Sequence, residues 1–384
     1  MKKIITNFAL DLDEKTKEQF DSCCSQKFIK KAALMPDAHC GYVAPIGAVL
    51  VTTDYVVPSW VGYDIGCGMI ALEFKKKGII QKIQINKEEI YRQVNMKVPM
   101  GKGRVNHIKE ISMKTKIEFK KLLQKFTEKE HKEEIYRYLR NKALSPLGSL
   151  GSGNHFIELG KEENNNDSLW LIIHSGSRGV GHTIATYYMK EASKKIKEYE
   201  NTYPIKVSSE TGKEYLNVLD FGLEFALLNR LEIAYKIRDV LKEVLKDETL
   251  DFGLWVNKNH NHAILENDNY IHRKGATPAK KGERGVIPAN MKEGSFLVEG
   301  LGNKEFLESS SHGAGRVLSR TQARKEIKKE DFEREMKGIV GTVNEKTIDE
   351  APQAYKNIYD VMDKQKKSVK ILKHIKPIIN WKGE

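Results

Sequence analysis

The sequence predicts a mixed α/β (α+β) fold: one large domain over residues 1–384, with a central mixed β-sheet flanked by helices and a cleft lined by glycine-rich loops. Three observations predict it. Glycines gather in short blocks, at 41–68, 148–181, 275–302 and 313–315. Short apolar runs adjoin these blocks, and long charged stretches with helical periodicity lie between them. No repeat, low-complexity tract or linker divides the chain.

The short apolar runs are predicted to be buried strands, at 46–51, 171–173, 254–256 and 296–298. Strands that end in glycine-rich loops bring polar side chains to a common edge of a sheet. A binding site formed there rests on a rigid scaffold.

Two charged stretches, 106–142 and 183–247, carry apolar residues three and four positions apart, as Leu223, Leu227 and Leu231 illustrate. This spacing predicts amphipathic helices that pack against the sheet, and their basic faces are interpreted as solvated surface. A last helical stretch is predicted at 353–376.

Charge and cysteine content limit the class of protein. The net charge of +13 suits a polyanionic partner such as nucleic acid, although a lysine-rich surface on an ordinary enzyme explains it equally well. The four cysteines suggest no disulfide framework and fit a reducing compartment. No signal peptide or membrane-length apolar run is recognisable, so we expect a cytoplasmic protein without a membrane partner.

Standard nucleotide-binding motifs are missing. The sequence contains neither G-x-x-x-x-G-K-[ST] nor G-x-G-x-x-G, and it lacks the Lys-x-Asp-Gly motif of lysine-dependent nucleotide ligases. Any nucleotide chemistry in this chain therefore needs a different design.

Several motifs combine metal-ligating residue types with glycine. Asp64 and Cys67 lie three residues apart in a glycine turn, although alone they fit a structural cysteine beside a turn aspartate. His155, His174 and His260 stand in similar contexts, and His174 directly follows a predicted strand. Together they predict a metal centre assembled from distant loops, for Zn, Mn, Fe or Co, with affinity order favouring Zn over Mn.

His312 differs because small residues follow it, at 313–315. A bulky group could approach its ring closely, and the backbone N–H groups could receive phosphate oxygens. A neutral imidazole is a competent nucleophile at phosphorus, but the residues alone also allow a general base or a further metal ligand.

Taken together, the motifs resemble the RtcB family of RNA ligases, from residue 36 to residue 383. The motifs that carry the resemblance are Pro36-Asp37-Ala38-His39, Asp64 to Met69, Gly153 to Glu158, His174 to Gly179, Asn259-His260-Asn261, Arg273-Lys274-Gly275-Ala276, Ser311 to Arg316 with Ser319-Arg320-Thr321, Ala354-Tyr355-Lys356 and Lys382-Gly383.

The resemblance implies GTP and two Mn²⁺ ions as cofactors. Cys67 would bridge the ions, and the remaining metal ligands would be Asp64, His155, His174 and His260. His312 would attack GTP to form guanylyl-histidine, with its ring oriented by Asp37. The nucleotide contacts it implies are Asn154, His155, Phe156, Ile157, Glu158, His260, Asn261, Pro288, Ala289, Asn290, Met291, Ser295, Gly313, Ala314, Gly315, Tyr355 and Lys382.

The implied substrates are an RNA 2′,3′-cyclic phosphate or 3′-phosphate end and a 5′-hydroxyl end, in RNA repair or tRNA splicing. Arg178, Arg316 and Arg320 are candidates for holding RNA phosphates, with structural ion pairs as an equal alternative. The need for an archease-like activator stays open. Two alternatives also remain: a metal-dependent RNA cyclic-phosphate phosphoesterase, and a non-catalytic component of RNA repair.

Overall fold

The architecture combines two large β-sheets with helices packed on their outer faces. It was obtained as a computed structural model that describes residues 3–129, 132–163, 165–194 and 196–383. Residues 1, 2 and 384, at the ends of the predicted domain, lie outside the described residues.

Ten α-helices occur among the described residues. They are α1 (Glu14–Ser25), α2 (Pro58–Val61), α3 (Ile79–Lys97), α4 (Met113–Thr127), α5 (Glu133–Lys142), α6 (Arg178–Ala192), α7 (Glu210–Leu245), α8 (Arg320–Glu326), α9 (Lys329–Glu335) and α10 (Ile358–Lys364).

Seventeen strands occur in the same part of the chain. They are β1 (Ile4–Asn7), β2 (Ile29–His39), β3 (Ile46–Thr52), β4 (Tyr55–Val56), β5 (Gly68–Lys75), β6 (Phe156–Glu162), β7 (Ser168–Ser175), β8 (Ile205–Lys206), β9 (Gly253–Asn259), β10 (Asn261–Glu266), β11 (Asn269–Lys274), β12 (Ala276–Pro278), β13 (Arg284–Pro288), β14 (Ser295–Gly300), β15 (Ser309–Ser311), β16 (Val340–Gly341) and β17 (Val369–Lys382).

The larger sheet has the strand order β13-β14-β17-β6-β7-β5-β9, with β16 added parallel to β17. Its edge strands approach each other: the Lys258 ammonium donates to the Arg284 carbonyl at 2.7 Å, and the Arg284 guanidinium lies over the Trp255 ring. The sheet is therefore nearly closed into a barrel.

Side chains alternate between the two faces of this sheet, as the pleat of a strand requires. In β7, Leu171 and Ile173 pack outward against α3 and α7, whereas Trp170 and Ile172 fill the inside of the curled sheet. His174 continues the inward series at the end of the strand. The sequence alternation thus directs this histidine into the mouth of the near-barrel.

The smaller sheet has the order β1-β2-β3-β11-β10, and a two-stranded ribbon of β12 and β15 lies beside it. β2 carries Asp37, and His312 directly follows β15. β10 begins at Asn261, directly after His260, and β11 ends at Lys274. The small sheet and the ribbon thus cover the open end of the larger sheet.

The predicted mixed sheet flanked by helices is confirmed. The four predicted strands correspond to β3, β7, β9 and β14, and α4 and α5 lie within the predicted helical stretch 106–142. The predicted helical stretch 183–247 contains most of α6 and all of α7, and β8 lies between these two helices.

The helix predicted at 353–376 is wrong for its second half. Residues 369–382 form β17, which pairs with β14 and β6 in the centre of the larger sheet. The segment is rich in β-branched Val and Ile, which favour a pleated surface, and its tertiary pairing outweighs the helical spacing of its lysines.

Among the described residues, no helix combines the length and the apolar character needed to cross a membrane.

Candidate active site

A cavity of about 910 Å³ opens where the inner end of the larger sheet meets the small sheet and the ribbon. This volume is near the upper end of the usual range for ligand sites. Its lining includes Cys67, His174, His260, His312 and Glu158. Loops distant in the sequence therefore converge on one space.

The predicted metal ligands, which we call the metal-ligating group, form two sets of three that share one sulfur. Cys67 Sγ lies 3.1 Å from His174 Nε2 and 3.5 Å from His155 Nε2. His174 Nε2 lies 3.2 Å from His260 Nε2, and His155 Nε2 lies 2.9 Å from Asp64 Oδ2. In each group of three, Cys67-His174-His260 and Asp64-Cys67-His155, the ligand atoms are within 4.8 Å of one another.

Backbone carbonyls orient the imidazoles. His174 Nδ1 lies 3.1 Å from the Asn154 carbonyl, and His155 Nδ1 lies 3.1 Å from the Leu150 carbonyl. A ring that donates Nδ1–H to a carbonyl presents the Nε2 lone pair on its other side, which is how proteins prepare a histidine for a metal. Both Nε2 atoms face the shared sulfur.

Burial sets the protonation of these ligands. Burial, followed by the neighbouring histidines, lowers the pKa of His174 and of His260 well below the usual range, so both rings are neutral. Burial and the nearby Asp64 carboxylate raise the pKa of the Cys67 thiol well above its usual range. A divalent cation would reverse this effect at sulfur. Neutral imidazoles, a thiol and a carboxylate are a donor set that fits a transition-metal ion.

Arg230 was missed by the sequence analysis. It is fully buried on α7, and its Nη1 donates to the carbonyls of Gly66 at 2.9 Å and Ser175 at 2.7 Å. Its other contacts are the side-chain oxygens of Asn257 and Asn259, at 2.8 and 2.6 Å. The guanidinium thus ties the Cys67 loop to the end of β7. A charged residue within the apolar series of α7 was the available signal.

His312 is held by a buried carboxylate. Its Nδ1 lies 2.7 Å from Asp37 Oδ2, and the backbone N–H groups of His312 and Gly313 both donate to that oxygen at 3.2 Å. Burial alone would raise the pKa of Asp37, but the His312 ring outweighs it and the pKa is lowered. Asp37 is therefore ionised, Nδ1 carries the proton, and Nε2 keeps a free lone pair.

The backbone conformation and surroundings of Gly315 require glycine, for a reason that the sequence analysis did not predict. Its φ is +75°, and a Cβ atom there would overlap the Asp37 carbonyl oxygen. The residue must be glycine for β2 to bring Asp37 against His312.

A second polar group lines the cavity on the inner face of β6 and β17. Glu158 pairs across the strands with Asn380, and Phe156 pairs with Lys382. Burial raises the pKa of Glu158 to about 8, despite the nearby Ser295 hydroxyl, Asn380 amide and Lys382 ammonium. Glu158 Oε1, Asn380 Oδ1 and Ser295 Oγ have no hydrogen-bond partner among the described residues. Unsatisfied buried acceptors of this kind call for donors on a ligand.

The three candidate arginines differ in their surroundings. Arg320 pairs with Asp349 and Glu350, each at 2.6 Å, and Arg316 pairs with Glu350 at 3.3 Å. Arg178 has no ion-pair partner among the described residues, and its backbone has φ +59°, a strained conformation for this residue. Gly176, two residues before it, lies against the Asp64 carboxylate. Burial alone would raise the pKa of Asp64, but His155 and, to a smaller extent, Arg178 lower it.

The other predicted nucleotide contacts divide into two sets. Those that line the cavity are Asn154, Phe156, Asn261, Pro288, Ala289, Asn290, Met291, Gly313, Ala314, Gly315, Tyr355 and Lys382. The Ile157 side chain packs into the outer core, so any ligand contact there would use its backbone. Lys274 and Asn380 also line the cavity, and the sequence analysis gave neither a role.

The chain was compared with known proteins. A family model described as tRNA-splicing ligase RtcB matches residues 19–383. The chain belongs to the RtcB family. The RNA-splicing ligase RtcB of Escherichia coli K12 is 34% identical, over 96% of this chain and 94% of that protein. The tRNA-splicing ligase RtcB of Methanococcus maripaludis is 28% identical, over 92% and 88%. That of Archaeoglobus fulgidus is 27% identical, over 92% and 87%.

Membership of the RtcB family confirms the predicted family and the prediction of an RNA ligase. The grouping of histidine, cysteine and aspartate supports metal binding. The roles of individual residues remain predictions.

Cys67→Ala is expected to remove the atom shared by both ligand groups. Loss of an outer-shell partner typically weakens metal binding about 10–100-fold, so loss of a shared ligand should exceed this. Titration calorimetry with Mn²⁺ and elemental analysis after gel filtration measure the effect. Cys40→Ala, which changes another cysteine of the cavity lining, is the control. Unchanged metal content in Cys67→Ala would contradict the shared-ligand assignment.

Without metal and nucleotide, the Glu158→Gln variant is expected to become increasingly more stable than the wild type as pH rises. With a folded pKa of about 8 against an ordinary value of 4.5, the folded state binds more protons than the unfolded state between these values. Stability therefore falls across that window, by about 1.4 kcal/mol per unit of pKa difference, and the variant lacks this loss.

Urea unfolding at pH 5, 6, 7 and 8 measures the difference between Glu158→Gln and the wild type. The gap should widen with pH and level off above pH 8. A gap independent of pH would refute the buried-carboxyl argument.

Proposed function

We propose that the chain joins RNA 2′,3′-cyclic phosphate or 3′-phosphate ends to 5′-hydroxyl ends, with GTP and two Mn²⁺ ions, through a guanylyl-His312 intermediate. The setting is RNA repair or tRNA splicing. One observation carries the proposal: the His312 ring, fixed by Asp37, lies 4.9 Å from the ring of His260 in the metal-ligating group. A nucleophile and a cation site thus adjoin in one cavity.

His312 performs the first step. Its Nε2 lone pair attacks the α-phosphorus of GTP, the new P–N bond forms, and the bond to pyrophosphate breaks. The ring becomes cationic because Nδ1 keeps its proton. The Asp37 carboxylate, 2.7 Å from Nδ1, stabilises that charge.

The metal-ligating residues of the proposal are Asp64, Cys67, His155, His174 and His260, with Cys67 shared. Bound cations would neutralise the crowded phosphates and activate the attacking oxygen. The chain itself supplies neutral Nε2 donors, and Arg230 holds the Cys67 loop against β7.

Glu158 accounts for the choice of GTP. Its buried carboxyl has an unpartnered oxygen on the cavity side of β6. Guanine presents two adjacent donors, N1–H and the 2-amino group, whereas adenine presents an acceptor at N1. Because burial raises its pKa to about 8, Glu158 would lose its proton as guanine binds. The resulting carboxylate accepts from both guanine donors, and adenine would leave it unsatisfied.

The RNA steps follow from the covalent intermediate. Water opens the cyclic phosphate to a 3′-phosphate. An oxygen of that phosphate then attacks the guanylyl phosphorus, so the P–N bond breaks and His312 is restored. Finally the 5′-hydroxyl attacks the RNA phosphate, and GMP leaves. Arg178 is the better candidate for holding the RNA phosphate, because Arg316 and Arg320 already have carboxylate partners.

A phosphoesterase without ligation would need the cation site alone. The Asp37–His312 pair and the unsatisfied Glu158 favour the ligase instead. A cytoplasmic location stays part of the proposal, and the free thiols of all four cysteines support a reducing compartment. An archease-like activator also remains a proposed partner.

His312→Ala is expected to abolish covalent labelling of the protein by α-labelled GTP, because no other side chain supplies the proposed nucleophile. Joining of an RNA whose 3′-phosphate already carries guanylate should persist. Acid-labile label on the denatured protein is the measurement, and His182→Ala, an exposed histidine on α6, is the control. Label retained by His312→Ala would rule out the assignment.

Glu158→Gln is expected to weaken GTP binding about 10–100-fold, since it removes a hydrogen bond to a charged acceptor. Discrimination against ATP should fall with it. Competition between GTP, ITP and ATP in the labelling reaction tests this, with Glu162→Gln as the control in the same strand. Unaltered discrimination would show that another group recognises the base.

A further inference from the structure

More than half of the net charge of the chain lies in one segment. Residues 102–142 contain thirteen Lys and Arg and six Asp and Glu, a net charge of +7 within a total of +13. The segment covers α4, α5 and the loop that precedes them. The sequence analysis interpreted this face as solvated.

Ion pairing divides this segment into two parts. On α4, Lys121 pairs with Glu118, and Lys125 pairs with Glu224 of α7. Lys129 pairs with Asp220. Neighbouring carboxylates therefore compensate these three lysines, whereas the other lysines of α4 and of the segment before it, Lys109, Lys114, Lys116 and Lys120, have no ion-pair partner among the described residues.

The second part is the loop 101–106 together with α5. Its five exposed cations have no ion-pair partner among the described residues; they are Lys102, Arg104, Arg137, Arg140 and Lys142, which we call the basic surface. The acidic residues of α5, Glu133 and Glu134, stand in its first turn, at the opposite end from Arg140 and Lys142.

The basic surface adjoins the active-site cavity. The loop 101–106 lies against the segment after α5: Gly101 N–H donates to the Gly151 carbonyl at 2.8 Å, and Asn106 N–H donates to the Ser145 carbonyl at 3.0 Å. On the other side, the Tyr138 hydroxyl of α5 donates to the Gly179 carbonyl at 3.2 Å.

Arg178 connects the basic surface to the metal-ligating group. Its Nε lies 3.4 Å from Ser149 Oγ, and its guanidinium lies against Gly151. Gly176, two residues before Arg178, lies against the Asp64 carboxylate, so unpaired positive charge extends from beside the metal-ligating group outward to α5.

We propose that the basic surface binds phosphates of the RNA strand beyond the reacting ends. The inference rests on the proposed function, because it supplies the polyanion. Exposed cations without partners bind phosphates with little desolvation and release counterions from the RNA. Three of the five are arginines, which bind phosphate in bidentate geometry. An acidic protein partner is the competing occupant, and the test separates it from RNA.

The test variant is Arg137→Gln/Arg140→Gln/Lys142→Gln. Its control is Lys27→Gln/Lys364→Gln/Lys367→Gln, three exposed lysines without ion pairs among the described residues, so both proteins lose the same charge. Binding of a 20-nucleotide RNA with a 3′-phosphate is measured against KCl concentration. Each lost phosphate contact lowers the salt slope by about 0.7 for a single strand, so we expect a drop of about 2 in the variant and none in the control.

Three further measurements separate the outcomes. The rates of self-guanylylation without RNA and of joining trinucleotide ends should be the same in the variant, the control and the wild type. If the wild type itself lacks either activity, the proposed function is refuted. Lys102→Gln/Arg104→Gln, on the loop, tests the surface independently if the α5 variant has a lowered melting temperature. A salt slope unchanged in both variants overturns the proposal. Unchanged RNA binding together with lost stimulation by an added archease protein overturns it in favour of a protein partner.

Discussion

The close approach of three neighbouring strands at Gly68 is the constraint on which the site depends. Gly68 begins β5 and pairs with Ser175 of β7 on one side and Asn259 of β9 on the other. Cys67 precedes Gly68 and His260 follows Asn259, and the His260 N–H donates to the Cys67 carbonyl at 2.7 Å. His174 pairs with Met69, so the register places it diagonally from Cys67. A Cβ atom at Gly68 would overlap the backbone of β9. A larger residue would push β9 away and move His260 from the shared sulfur.

This register is held by a buried charge, the Arg230 guanidinium, whose burial is unfavourable by itself. A fully buried guanidinium loses its hydration, and among the described residues no carboxylate forms a direct ion pair with it. Instead, backbone carbonyls and asparagine oxygens satisfy it, which makes the arrangement specific, because each contact fixes a different segment. Gly66, Ser175 and β9 are all held by one side chain. Its charge also lowers the pKa of Cys67, against the stronger effect of burial.

The sequence allowed a residue to be positioned where its place depends on the local pattern of neighbouring residues. It did not where the place depends on the pairing of strands that are distant in the chain. His174 could be placed at a strand end because an apolar run precedes it, and the strand period then directs it inward. Asn380 could not be placed, and Lys382 was named only through the family resemblance, because their positions depend on β17 lying beside β6, a pairing between segments more than 200 residues apart. Gly315 was predicted as a nucleotide contact, and the structure adds a separate requirement for glycine, the approach of Asp37, which no local pattern reveals.

Charge balance around Asp37 explains how one imidazole can become cationic in a buried place. Two histidines contact this residue: His312 Nδ1 lies 2.7 Å from the carboxylate atom Oδ2, whereas His39 Nδ1 lies 2.9 Å from the backbone carbonyl oxygen. Burial lowers the pKa of His39 to about 4, with His312 contributing. His39 is therefore neutral at ordinary pH, and the Asp37 charge is left for His312 alone. A single buried anion can offset a single ring cation, so Asp37 can compensate the ring charge that the proposed guanylylation would create at His312.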